Sequence, residues 1–142
     1  MPWRRVGVPP YSSRLLMPSQ TGHSTAHLCV LVVEDDLAFG EIIENLLLEN
    51  GYEVRLAQTV SQALRLFNET AFSAALLDVK LGDELVFGVA DLLQGQHVPY
   101  MFMSGPYIDA VPASHAGVLF VRKPFRLRDL LRQVAAMTGR EH

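Results

Sequence analysis

The sequence predicts an α/β architecture: one doubly wound, five-stranded parallel sheet with helices on both faces. Two observations carry this reading. Apolar runs of strand length alternate with stretches whose apolar residues recur every three or four positions, and such alternation requires crossover connections between parallel strands. The chain is also large and apolar enough, at 142 residues and 49% hydrophobic, to bury one sizeable core, although it is short for two domains of ordinary size.

The first strand is Leu28 to Val33, a continuous apolar run with β-branched residues at half its positions, as expected of a strand buried on both faces. Asp36 is placed to cap the helix that follows. Phe39, Ile42, Ile43, Leu46 and Leu47 form its stripe, and Gly51 is its stop. Glu53 to Ala57 is the second strand. Thr59-Val60-Ser61-Gln62 reads as a capping box opening a helix with Ala63, Leu64 and Phe67 on its inner side. Phe72 to Leu77 is the third strand, ending at Asp78. After the polar Gly82-Asp83-Glu84 break, Leu85, Val89, Leu92 and Leu93 mark a helix stopped at Gly95. Val98 to Met103 is the fourth strand, with Pro99 near its start, where a missing N–H costs least. Val118 to Val121 is the fifth strand, and Leu127, Leu130, Leu131 and Val134 form the stripe of a last helix before Gly139. With right-handed crossovers this series makes a flavodoxin-like sheet of order 2-1-3-4-5.

Residues 1–26 differ from the rest. They hold Pro2, Pro9, Pro10 and Pro18 and no regular period, so they are expected to be a disordered extension ahead of one domain over 27–142. A second reading makes Met17 the true start. Arg4-Arg5 is not followed by the apolar region of about 7 to 15 residues that an export signal needs. A net charge of −3 gives no basic footprint for nucleic acid, and no apolar stretch approaches the roughly 20 residues of a membrane span. Cys29 is the single cysteine and lies in an apolar run. It reads as a buried structural thiol, in keeping with a reducing cytoplasm.

In doubly wound sheets ligands bind beyond the carboxyl ends of the strands. Glu34 and Asp35 follow the first strand here, Asp78 the third, Ser104 the fourth and Lys123 the fifth. Three carboxylates brought that close repel one another unless a cation joins them, and hard oxygen ligands suit Mg²⁺. Asp78, alone at its strand end, is placed to act as a nucleophile toward phosphorus, with Lys123 neutralising phosphoryl charge and Ser104 hydrogen-bonding the arrived group. Each residue has a plainer reading when taken singly: Glu34, Asp35 or Asp36 as a helix cap, Asp78 as a turn residue, Ser104 as a loop opener, Lys123 as a solvated charge. Two further groupings are weaker. His23 and His27 have the spacing of a helical metal pair in a segment that does not read as helix. Arg122, Arg126, Arg128 and Arg132 read as a solvated face or as a dock for an acidic partner.

Val32-Val33-Glu34-Asp35-Asp36, Leu76-Leu77-Asp78 and Val121-Arg122-Lys123-Pro124-Phe125 resemble the signature segments of the receiver domains of bacterial two-component response regulators. The likeness runs from about Leu28 to Met137. It implies that Asp78 is the phosphoacceptor and that Glu34 and Asp35 are the acidic pair, Asp35 the more direct ligand of Mg²⁺. It further implies the backbone carbonyl of Lys80 as another metal ligand, Ser104 and Lys123 as the switch hydroxyl and the lysine of the site, and Phe120 as the rotameric aromatic. Pro124 often follows a cis bond in this family. The implied role is signalling rather than turnover: the domain catalyses its own phosphorylation and dephosphorylation. The implied partners are a sensor histidine kinase or histidine phosphotransfer protein and a downstream protein target.

The sequence departs from the family pattern between Ser104 and Phe120. This stretch is short, Pro112 interrupts it, and Ile108, Ala110 and Val111 give no amphipathic stripe, so the fourth helix is expected to be short, distorted or absent. Phe102-Met103-Ser104-Gly105-Pro106-Tyr107 is similar to the FATGUY motif of a subclass of single-domain regulators linked to HWE-type kinases, with Met103 and Ser104 replacing its alanine and threonine. Tyr107 to Ala116 is accordingly expected to bury little area and to become ordered on phosphorylation, with Tyr107 or Phe120 moving beside Ser104. Two other functions fit the residues less well. A haloacid-dehalogenase-like phosphatase wants a second Asp where Lys80 stands, and an unphosphorylated pseudo-receiver scaffold has no need of clustered carboxylates.

Overall fold

In a computed structural model of the chain, residues 27–105 and 111–140 are described. The expected extension over 1–26, with His23 and Met17, lies outside them, as does Tyr107. The elements run β1 (Cys29–Val33), α1 (Leu37–Glu49), β2 (Glu53–Ala57), α2 (Val60–Glu69), β3 (Ala74–Asp78), β4 (Lys80–Leu81), β5 (Glu84–Leu85) and α3 (Phe87–Gly95). They continue with β6 (Tyr100–Ser104), a 3₁₀ turn (Ala113–His115), β7 (Phe120–Arg122) and α4 (Leu127–Thr138).

Five strands pair in parallel in the order β2-β1-β3-β6-β7, which is the expected 2-1-3-4-5 order once the small β4–β5 hairpin is set aside. Successive residues of the central strands face opposite sides. Leu31, Val33, Ala75, Leu77 and Phe102 pack under α2 and α3, while Val30, Val32, Leu76, Met101 and Met103 pack under α1 and α4. Every residue of β1 and β3 is buried, which is why these strands read as unbroken apolar runs.

The caps are formed by the expected residues. Asp36 Oδ1 accepts from the Phe39 amide at 3.2 Å, and Thr59 Oγ1 accepts from the Gln62 amide at 3.1 Å. Gln62 reaches back one residue further than the standard box, to the Gln58 amide at 2.8 Å. Gly51 and Gly139 take the left-handed conformation just past α1 and α4.

Two expectations are corrected. Leu85 and Leu92 are 48% and 43% exposed, so the inner side of α3 is carried by Val89, Ala90 and Leu93; the helix ends at Gly95 as expected, and the left-handed residue beyond it is His97. Ile42 of α1 is 49% exposed, and the buried large apolar side chains of this helix are Ile43 and Leu47. The polar break expected at 82–84 holds the Gly82-Asp83 turn of the β4–β5 hairpin, where Gly82 has φ 61°, and Glu84 opens β5.

Candidate functional site

The carboxyl ends of β1, β3, β6 and β7 meet on one side of the sheet. Glu34 follows β1 and is fully buried; its amide donates to the Ala57 carbonyl at 2.9 Å, holding it against β2. Asp35 is exposed beside it. Asp78 closes β3 in register with Met103, and Ser104 is the next residue on β6. Lys123 is tied to that strand by its own amide, which donates to the Ser104 carbonyl at 2.8 Å, and a cis peptide bond joins it to Pro124.

One carboxylate oxygen each from Glu34, Asp35 and Asp78 lies within 4.8 Å of the others. Lys123 Nζ donates to Glu34 Oε1 at 2.7 Å and reaches Asp78 Oδ2 at 3.5 Å. Glu34 Oε2 accepts from the Asp36 amide at 3.2 Å, and Asp35 Oδ2 accepts from the Gly82 amide at 3.0 Å, latching the β4–β5 hairpin to the acidic cluster. Burial, reinforced by the Glu34 carboxyl and opposed by Lys123, pushes Asp78 from 3.8 up to about 7. Burial works against the Lys123 ammonium, but its bond to Glu34 and the charge of Asp78 outweigh that, so its proton is held more tightly than an ordinary lysine's.

This donor set fits a small hard divalent cation. All three side chains offer oxygen, and one ammonium cannot neutralise three carboxylates. Of the sequence-predicted residues, Glu34, Asp35, Asp78 and Lys123 therefore converge, and Ser104 closes the neighbouring strand. Lys80 stands two residues beyond Asp78 in β4. Phe120 is half-buried, with its ring 6.3 Å from Phe102 on the core side. It shares a sheet face with Ser104, since Phe102 pairs with Phe120 and Ser104 with Arg122. His27 sits in an exposed pair with Glu53 at 3.0 Å, away from this cluster.

Sequence reading missed a second polar network. His115 is 1% exposed; its Nε2 meets Asp91 Oδ1 at 2.7 Å and its Nδ1 meets the Tyr100 hydroxyl at 2.5 Å, with Phe87 stacked on the ring. Gln94 also donates to the Ser114 carbonyl at 3.1 Å. Over the described residues 111–116, Pro112, Ala113, Ser114 and Ala116 are exposed, as expected of a segment that buries little area, but the buried His115 pins it to α3 and β6. No helical period announces this, because His115, Asp91 and Tyr100 come from three separate elements. The hairpin that carries the Asp35–Gly82 latch had a signal: Gly82-Asp83 is one of the dipeptides that close a two-residue hairpin.

The comparisons with known proteins agree with this fold. The response regulator receiver domain model matches residues 30–135. The uncharacterized transcriptional regulatory protein YrkP of Bacillus subtilis (strain 168) is 31% identical over 120 residues, and the match spans 78% of this chain but about half, 49%, of that protein. Among solved structures, a response regulator receiver protein from Burkholderia phymatum is 27% identical with a TM-score of 0.70, over 80% of this chain and 97% of that one. SdrG from Sphingomonas melonis Fr1 is 28% identical with a TM-score of 0.68, over 80% and 98%. A CheY-like receiver domain protein from Methanospirillum hungatei JF-1 is 27% identical with a TM-score of 0.68, over 80% and 95%. With its fold and strand order in agreement, the chain belongs to the response regulator receiver domain family of two-component systems.

Proposed function

We propose that this chain accepts a phosphoryl group on Asp78 from a phosphohistidine of a kinase or phosphotransfer protein in the cytoplasm, and signals through phosphorylation-dependent protein contacts. The observation that carries the reading is the placement of Asp78: a strand-end carboxyl 3.5 Å from an ammonium and grouped with two further carboxylates.

As carboxylate, Asp78 directs an oxygen at phosphorus. The P–N bond breaks as the P–O bond forms, and the departing imidazole takes a proton from water. Lys123 leaves its long contact with Asp78 and turns its ammonium to an oxygen of the transferred group, while Glu34 keeps hold of another of its protons. Ser104, next to Asp78's partner on β6, supplies the hydroxyl that receives the new group and draws β6's outgoing chain toward it. Glu34, Asp35, Asp78 and the carbonyl of Lys80 would hold Mg²⁺. Bound there, Mg²⁺ supplies charge neutralisation for the phosphoryl oxygens. The segment Phe102 to Gly105, and a 3₁₀ turn where a fourth helix would stand, support membership of the FATGUY-like subclass, with an HWE-type kinase as donor.

The test is incubation with a small phosphodonor and Mg²⁺ followed by intact-mass measurement. An acid-labile phosphoryl adduct on the natural chain, absent from Asp78→Asn, is the expected result. An adduct of equal extent on Asp78→Asn overturns the assignment.

A further inference from the structure

We infer that Phe39 is a positioning residue for Lys123: its ring face forms the wall against which the ammonium is held and turns. The inference deepens the phosphoacceptor reading and rests on it for its kinetic consequence.

An ammonium has three donors. Lys123 Nζ spends one on Glu34 at 2.7 Å and reaches Asp78 only at 3.5 Å, at the limit of a hydrogen bond. On a further side, Nζ lies 4.8 Å from the centroid of the Phe39 ring, inside cation–π range. The lysine side chain is 27% exposed, so without that ring more water would reach it.

The ring is itself fixed from two directions. The backbone of Phe39 is locked in the first turn of α1 by its bond to the Asp36 cap. Its side chain meets Phe125 edge-on at 5.7 Å and 62°, and Phe125 lies two residues beyond Lys123, past the cis bond. The aromatic pair therefore spans α1 and the turn that carries the lysine. Attraction to a ring face has no fixed donor direction, so Nζ can swing from Asp78 to a group on Asp78 without breaking a hydrogen bond on that side. Glu34 anchors the ammonium while Phe39 limits where it can travel.

An apolar packing role alone makes a different prediction, because leucine would satisfy it. Phe39→Leu keeps an apolar side chain in the packing under α1 and α4 and removes the ring, whereas Phe39→Tyr keeps the ring. With a small phosphodonor and saturating Mg²⁺, Phe39→Leu is expected to be phosphorylated about two- to five-fold more slowly, and Phe39→Tyr at close to the natural rate. In a Lys123→Ala background Phe39→Leu should cause no further slowing, because the group it acts through is gone. A small phosphodonor excludes any contribution of Phe39 to docking a protein partner.

NMR of the unphosphorylated protein reads the same contact without any chemistry. The Lys123 ε-methylene protons should carry a ring-current shift that is lost in Phe39→Leu and kept in Phe39→Tyr. Unchanged Lys123 shifts in Phe39→Leu, equal rates for Phe39→Leu and the natural chain, or equal slowing with and without Lys123 would each overturn the inference. If the natural chain takes no phosphoryl group, the phosphoacceptor reading fails, and the ring-current measurement still decides whether Phe39 holds Lys123.

Discussion

In metal-free protein, Asp78→Asn is expected to stabilise the fold at pH 8 and to leave it nearly unchanged at pH 4. The Asp78 carboxyl titrates at about 7 instead of 3.8 because it is buried and faces Glu34. Between about pH 4 and pH 7 the folded state thus binds more protons than the unfolded one. Stability then falls as pH rises through that window and levels off above it. The interval from 3.8 to about 7 sets a ceiling of roughly 4 kcal/mol, at 1.36 kcal/mol per tenfold in proton affinity. Asparagine keeps the shape and removes the charge. Even a quarter of that ceiling, about 1 kcal/mol, moves Tm by about 4 °C in a domain near 100 residues. The assay is a pair of thermal melts in chelator at each pH. A variant less stable than the natural chain at pH 8, or a difference equal at both pH values, would refute the reasoning. Adding Mg²⁺ at pH 8 should reverse the order, because the natural chain gains a cation that its three carboxylates can share and the variant keeps only two of them.

Asp35→Asn should lose most of the Mg²⁺-induced rise in Tm while its metal-free fold is as stable as the natural one or more so. Relief of repulsion accompanies the charge removal, and the asparagine oxygen can still accept from Gly82; melts across a Mg²⁺ titration check this. His115→Ala should cost about 2–4 kcal/mol in urea denaturation, since it opens a cavity beside Phe87 and Phe102 and strips the Tyr100 hydroxyl of its buried partner. Amide exchange over 111–116 should quicken in the same variant. Unchanged exchange there would show that something other than His115 pins the segment.

Much of this fold was legible because strand burial and helix caps are local properties. β2 lies where its residues predict, β1 and β6 within two residues, and Asp36 and Thr59 cap the helices they precede. Helix faces were less legible. Leu92 and Ile42 have the right period, yet both are exposed beside the buried Leu93 and Ile43. The acidic site could be read from the sequence because topology sends every strand end to one place, so order along the chain becomes proximity in space. The partnerships inside it could not. That Lys123 binds Glu34 at 2.7 Å and Asp78 only at 3.5 Å, or that Phe39 covers its ammonium, depends on side-chain directions that no spacing encodes. The His115 network was invisible for the same reason, and a segment that looked loose by composition proved to be anchored over 111–116.

The central claim is that Asp78, and no other residue, receives the phosphoryl group. The most direct measurement is to phosphorylate the natural chain with a small phosphodonor and Mg²⁺, reduce it with borohydride, and sequence the digested peptides by mass spectrometry. Borohydride converts an aspartyl phosphate to homoserine and leaves a free carboxylate untouched. Homoserine at position 78, formed only with both donor and Mg²⁺ present, is the predicted result. Homoserine at another acidic position, or none in a chain whose intact mass shows the phosphoryl group, would contradict the account.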